Sequence, residues 1–231
     1  MPHRSLKNYL KSCPNMKLIT ANWKMNMSTE EALEWATRFR EIIPKPLVNS
    51  KVIVAPSLVH LPLIFEVLYK TGVELAAQDI SLFEKGAHTG EVGGFQLRDF
   101  CKYCIIGHSE RNETTETVLL KRDACLSSGL TPIICFSDNS LVRILSKKGV
   151  ILARENPQNI SVNGVYREDN IEAIERIFSE LPKETQVIYG GSVNRQNAPK
   201  LAHISGLEGV LVGNASLDPQ HFVEIIEIFD K

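Results

Sequence analysis

The sequence predicts an α/β fold: a single-domain (β/α)8 barrel, with a parallel eight-stranded barrel inside a ring of outer helices. Three observations carry that expectation. Short apolar runs alternate with amphipathic patterns from Lys17 to the C-terminus, which is the mark of right-handed βαβ units and a parallel sheet. The runs are mostly continuous rather than alternately polar, as when both faces of a strand are covered. Eight β/α pairs of roughly 27 residues each fall within the size range of such barrels, and no linker or shift of composition divides the chain.

Lys17–Ala21 reads as the first strand. Ser28-Thr-Glu-Glu31 then has the spacing of a capping box, in which a serine hydroxyl and a glutamate carboxylate each accept from the other's backbone N–H. It opens a helix running to about Ile43. The later strands are Lys51–Ala55, Val73–Gln78, Tyr103–Gly107, Thr131–Phe136, Gly149–Ala153, Gln186–Tyr189 and Gly209–Val212. Helical patterns lie between them at Leu61–Lys70, Gln96–Lys102, Glu113–Ser127, Asn139–Lys147, Glu168–Glu180, Arg195–His203 and Pro219–Phe229. The one at Asn139–Lys147 is barely two turns long.

Composition narrows the class of function. Of 231 residues 43% are apolar, enough for a sizeable core. Basic and acidic side chains number 26 and 27, so no overall positive field exists to hold a polyanion, and nucleic-acid binding is not expected. No apolar run approaches the ~18–20 residues that span a bilayer, so no membrane partner is expected either. The five cysteines are an odd count without framework spacing, and Cys101-Lys-Tyr-Cys104 lacks a second pair to complete a zinc site. They read as reduced structural thiols, which suits a cytoplasmic protein. Residues 1–16 are basic and polar and lack the apolar stretch of a secretory signal. Residues 1–15 read as a disordered extension, with an upstream start codon or a presequence as alternatives, and residues 16–231 as the barrel domain.

In such a barrel the chemistry sits at the C-terminal ends of the strands. That rule selects Asn22 and Lys24 after the first strand, His108 and Glu110 after the fourth, and Glu155 after the sixth. It also selects Gly190-Gly191-Ser192 after the seventh strand and Gly213-Asn214-Ala215-Ser216 after the eighth. Each has a plainer reading: a rim lysine, a satisfied core histidine, a salt-bridged glutamate, two tight turns. Together they make a constellation. Glycine-rich turns and helix starts hold phosphate through backbone N–H groups. A histidine opening a helix at Ser109-Glu110-Arg111 would be kept neutral by the positive helix end and could donate to a carbonyl oxygen. A partly desolvated glutamate can take a proton from carbon beside a carbonyl. A metal role is poorly supported, since Glu110 is the one candidate ligand near His108 in sequence.

These segments resemble triosephosphate isomerase, a TIM-barrel family, over about Leu18 to Phe229. The matching stretches are Ala21-Asn-Trp-Lys-Met-Asn26, Gly86-Ala-His-Thr-Gly-Glu91, Ile106-Gly-His-Ser-Glu-Arg111, Tyr189-Gly-Gly-Ser-Val-Asn194 and Val212-Gly-Asn-Ala-Ser216. The resemblance implies interconversion of D-glyceraldehyde 3-phosphate and dihydroxyacetone phosphate without a cofactor or metal. It implies Glu155 as the base, His108 as the group polarising the carbonyl, Lys24 as the cation and Asn22 as a hydrogen-bond partner of the substrate. Ser161, Ser192, Gly213 and Asn214 would surround the phosphate, and Glu110 and Arg111 would support the residues that touch it. Gly86–Glu91 resembles the interdigitating loop of a homodimer, with Thr89 reaching towards the partner.

Three stretches depart from the family pattern. The usual lid begins Glu-Pro-Val-Trp-Ala-Ile-Gly-Thr-Gly, whereas this chain has Glu155-Asn-Pro-Gln-Asn-Ile-Ser-Val-Asn-Gly164. Cys135-Phe-Ser-Asp138 stands for Cys-Ile-Gly-Glu, followed by a shortened fifth unit like that of compact archaeal members, some of them tetrameric. Asn214 replaces a glycine, the least costly exchange if that backbone needs a positive φ. An isomerase of another small sugar phosphate, or a non-catalytic phosphate-binding relative, are the competing functions.

Overall fold

The computed structural model describes residues 16–156 and 170–231. The expected 1–15 extension and Ser161 lie outside those residues. Eight strands close a parallel barrel in sequence order: β1 (Lys17–Asn22), β2 (Ser50–Ala55), β3 (Glu74–Ala77), β4 (Tyr103–Ile106), β5 (Thr131–Phe136), β6 (Ile151–Arg154), β7 (Val187–Tyr189) and β8 (Gly209–Val212). Closure pairs Leu18 of β1 with Gly209 of β8. There φ is 145° and a Cβ would sit 2.0 Å from the Leu18 carbonyl oxygen, so only glycine lets the last strand approach the first.

The helices are α1 (Thr29–Ile42), α2 (Leu61–Leu68), α3 (Gly94–Leu97), α4 (Thr115–Ser127), α5 (Val142–Leu145), α6 (Ile171–Ser179), α7 (Ala198–Ala202) and α8 (Pro219–Phe229). The capping box of Ser28 and Glu31 forms as expected. Burial divides the apolar residues into two layers. A smaller set, including Leu18, Ile53, Ile105, Ile133, Ile188 and Leu211, fills the barrel. A larger one lies between strands and helices, where Trp35 packs on Trp23, Phe39 and Phe222 with ring centroids 4.5–6.3 Å apart. This double coverage is why the strands read as unbroken apolar runs.

Three helices shrink to five residues or fewer. The Gln96–Lys102 pattern yields only Gly94–Leu97: the N–H groups of Phe100 and Cys101 both fold back onto the Leu97 carbonyl, and Lys102 N–H is already bonded to Leu75 at the sheet. The Arg195–His203 pattern begins three residues late, because the Asn194 side chain accepts from the N–H groups of Gln196 and Asn197 and holds a turn there. The fifth unit is trimmed as expected, to a 3₁₀ turn at Asn139–Leu141 running into the four residues of α5. The four described cysteines, Cys101, Cys104, Cys125 and Cys135, are all free and buried.

Candidate active site

The residues singled out at the C-terminal rim converge. Asn22, Lys24, His108, Glu155, Ser192, Gly213 and Asn214, with Gly190 and Gly191, line one cavity.

Lys24 comes from a tightly bonded turn. Its φ is 54°, a left-handed conformation costing a non-glycine residue about 1–2 kcal/mol. Hydrogen bonds offset that cost. Lys24 N–H donates to the Asn22 carboxamide oxygen at 3.1 Å, and the Lys24 carbonyl accepts from the Ser57 hydroxyl at 2.9 Å and the Gln78 amide at 3.0 Å. Trp23, one residue earlier, donates from N–H to Ala55 and accepts at its carbonyl from the Asn26 side chain. Asn22 thus uses its carboxamide oxygen within the turn and lines the cavity. The Lys24 ammonium rests 2.6 Å from Glu110 Oε1.

His108 ends the β4 connection, and Gly107 before it takes φ 68°. The expected helix start at Ser109–Arg111 is a lone 3₁₀ turn, stopped by Asn112 in the left-handed region, and α4 begins only at Thr115. The helix start expected there is thus a single 3₁₀ turn with His108 at its N-cap, and the imidazole is held neutral. Burial first, and then the Lys24 charge, push its pKa down from 6.5 to about 4. Nδ1 accepts from Glu110 N–H at 3.2 Å, which leaves the ring proton on Nε2.

Glu155 is 2% exposed. Burial raises its pKa from the ordinary carboxyl value of 4.5 to about 7, against the opposing pull of Ser109, the Cys135 thiol and Lys24. Oε2 accepts from Ser109 N–H at 3.1 Å. Oε1 lies 3.1 Å from His108 Nε2, but the two are not aligned for a hydrogen bond, and Oε1 is buried with no hydrogen-bond partner among the described residues. A buried carboxylate oxygen with no donor is costly, and it leaves a lone pair open to an incoming proton. Gly190 makes room for this side chain, since a Cβ there would stand 3.2 Å from Glu155 Cγ.

The opposite wall can take an anion. The Ser192 hydroxyl is buried with no hydrogen-bond partner among the described residues. Gly213 precedes a 3₁₀ turn at Asn214–Ser216, and the Gly213 Cα side faces Lys24, whose Cε would be 3.7 Å from a Cβ. Asn214 is not among the residues with positive φ, so its replacement of glycine needs no left-handed allowance. Among the described residues no group of three or more His, Cys, Asp or Glu is arranged to hold a metal ion.

Glu110 and Arg111 lie just behind the cavity-lining residues in the chain after β4. Glu110 anchors both Lys24 and the His108 ring, while Arg111 pairs with Asp79. Behind them Lys121, 8% exposed, sits between Asp79 at 2.5 Å and Glu113. Burial alone would lower its pKa, but the two carboxylates more than reverse this. Glu113 in turn accepts from Gly107 N–H at 3.1 Å, bracing the end of β4. Sequence reasoning missed this trio, together with Ser57, Gln78 and Cys135. Gln78 and Phe136 stand at strand ends that the rim rule covers, so a signal exists for Gln78 and for Cys135 beside Phe136. Lys121, on a helix face, has none. Thr89 is exposed, as is all of 82–91.

Comparison with known proteins agrees with this geometry. The family model for triosephosphate isomerase matches residues 17–161 and 159–229. The chain is 33% identical to the triosephosphate isomerase of Thermodesulfovibrio yellowstonii over 91% of this chain and 98% of that protein. It is 31% identical to those of Aquifex aeolicus and Thermus thermophilus, over 92% and 91% of this chain and 99% and 98% of theirs.

Proposed function

The chain belongs to the triosephosphate isomerase family, and from that premise we propose how its own residues interconvert D-glyceraldehyde 3-phosphate and dihydroxyacetone phosphate, the isomerisation shared by glycolysis and gluconeogenesis. Glu155 takes a proton from C1 of the ketose while His108 donates from Nε2 to the carbonyl oxygen. The resulting enediolate takes the carbon-bound proton back from Glu155 at C2 while the O1 proton passes to O2 by way of His108, giving the aldose; no electron leaves the substrate and no cofactor enters. A glutamate base with a neutral histidine electrophile is the arrangement for which this enzyme family is the standing example. Lys24 and the Asn22 amide neutralise and orient the substrate, and Ser192, Gly213 and Asn214 hold the phosphate, with Ser161 as a further phosphate contact. The observation that carries the assignment is Oε1 of Glu155, without a hydrogen-bond partner among the described residues and 3.1 Å from a neutral Nε2. Turnover of D-glyceraldehyde 3-phosphate by the purified protein tests it. A kcat/KM towards ~10⁸ M⁻¹s⁻¹ is expected, and a rate no higher than that of Glu155→Gln would overturn it.

The protein is further read as a cytoplasmic homodimer. The reduced, buried cysteines support that compartment. Exposed apolar side chains on the loops after β1, β2 and β3, namely Met25 at 96%, Val59 at 81% and Phe83 at 51%, support an interface. Thr89→Arg should convert the dimer to monomer in sedimentation; an unchanged profile would sink that reading.

A further inference from the structure

Glu155 is the first residue beyond β6, and the sheet satisfies only part of the backbone around it. Its N–H donates to the Phe136 carbonyl of β5 at 2.8 Å, and the Arg154 carbonyl before it accepts from Gly190 N–H at 2.8 Å. The Glu155 carbonyl lies past the last strand pair, Arg154 with Tyr189, and Nη1 of the neighbouring Arg154 side chain donates to it. The same guanidinium donates from Nε to the Asn139 carboxamide oxygen at 2.9 Å and rests over the Phe136 ring, 5.8 Å from its centroid. We propose that Arg154 is a positioning residue for the isomerisation: seated on Phe136 and Asn139, it fixes the peptide on which Glu155 stands and so sets where the carboxylate meets the carbon-bound proton. This rests on the reading of Glu155 as the base.

The carboxylate depends on that peptide. Oε1 is buried with no hydrogen-bond partner among the described residues, so its place follows from the backbone that carries it and from the tie of Oε2 to Ser109 N–H. Arg154 itself is not among the residues lining the cavity, and it acts on the reaction only through its neighbour. Arginine suits the task chemically. Its rigid planar fork donates in two directions at once and offers a flat face to an aromatic ring, whereas lysine has one nitrogen on a flexible stem. The seat is also particular to this chain. Phe136 stands where the family pattern has isoleucine, and Asn139 opens the 3₁₀ turn of the shortened fifth unit. The departures after β5 and the arginine before the base thus form one structural unit.

Steady-state kinetics of the full chain, with the ketose carrying hydrogen or deuterium at C1, test the proposal. Arg154→Met removes both donors and keeps an unbranched side chain. It should lower kcat about a hundredfold, since misplacement by about 1 Å can cost that much, while KM changes by no more than about threefold because the cavity wall is untouched. The primary deuterium isotope effect on kcat should rise, because proton transfer then limits turnover. Arg154→Lys, with its charge and one donor, should fall between wild type and Arg154→Met. Asn139→Ala should act in the same direction to a smaller degree, and the double variant should be within about twofold of Arg154→Met alone, since both act through one guanidinium. An unchanged kcat would overturn the proposal, as would losses that add, or a loss without a larger isotope effect, the mark of a partly unfolded sample. If Arg154→Met does not fold, Asn139→Ala decides by its own kcat and isotope effect. Should Glu155→Gln leave kcat unchanged, the base assignment fails and the positioning role with it; a large loss in Glu155→Gln beside an unaffected Arg154→Met overturns the positioning role alone.

Discussion

The loops after β1 and β6 bring opposite charges into the same cavity by opposite means. After β1, the backbone is over-determined: the Lys24 N–H and carbonyl both have side-chain partners, and an unfavourable φ is held by bonds from three other residues. After β6, the backbone is anchored conventionally, Glu155 N–H donating to Phe136, but the side chain is under-satisfied. One carboxylate oxygen accepts from Ser109 N–H, and the other is buried with no hydrogen-bond partner among the described residues. The lysine is a fixture of the fold, whereas the glutamate is a group in an unfavourable state that accepting a proton relieves. Strain is stored in both, as backbone conformation in one loop and as desolvation in the other.

The largest test of this contrast removes the base. Glu155→Gln should lower kcat by several decades while changing affinity for phosphate-bearing ligands by no more than about tenfold, since the lost interaction acts in the transition state. Steady-state rates paired with inhibitor titration measure both.

The acid limb of the pH profile comes next. With the Glu155 pKa raised to about 7, the base is protonated below that pH and available above it. Wild-type kcat/KM should therefore fall about tenfold per unit below pH ~7 and level off above, with a further slope where the substrate's phosphate titrates near pH ~6. A limb centred near the ordinary carboxyl value would contradict the desolvation argument.

The same shift has a sign for stability. A folded-state pKa raised above the unfolded value means that the native protein binds the proton more tightly. Its stability is then full below about 4.5 and declines as pH rises through about 7. Glu155→Gln should accordingly be more stable than wild type by ~3 kcal/mol at about pH 8 and no different at about pH 4.5, as read by denaturant unfolding. Equal stability at both pH values would show that the unpartnered oxygen is not costly.

The smallest effect is spectroscopic. With burial and Lys24 lowering the His108 pKa to about 4, its ¹⁵N resonances should report the neutral Nε2–H tautomer unchanged from about pH 8 down to about pH 5. Titration near the ordinary histidine value would mean that the ring is wetter than its packing implies.

Much of the fold and of the site is legible in the amino-acid order. Periodicity places all eight strands because each strand is covered on both faces, and the rim rule picks Asn22, Lys24, His108 and Glu155 because the barrel fixes where strands end. Helix lengths are less legible. Nothing local in Gln96–Lys102 says that Lys102 is already bonded to β3, and the Asn194 turn competes with a helix that propensity alone would start earlier.

By itself, then, the amino-acid sequence determined the barrel, the strand order and the identity of the groups that face the cavity, since these follow from apolar period and motif. Only the tertiary structure decided their chemical state. His108 is neutral through burial and a nearby ammonium, Glu155 is raised by desolvation, and Lys24 is held by Ser57 and Gln78 from two other strands' loops. The reason is physical: a pKa or a strained dihedral is set by what surrounds a group in space, and those neighbours lie tens of residues away along the chain.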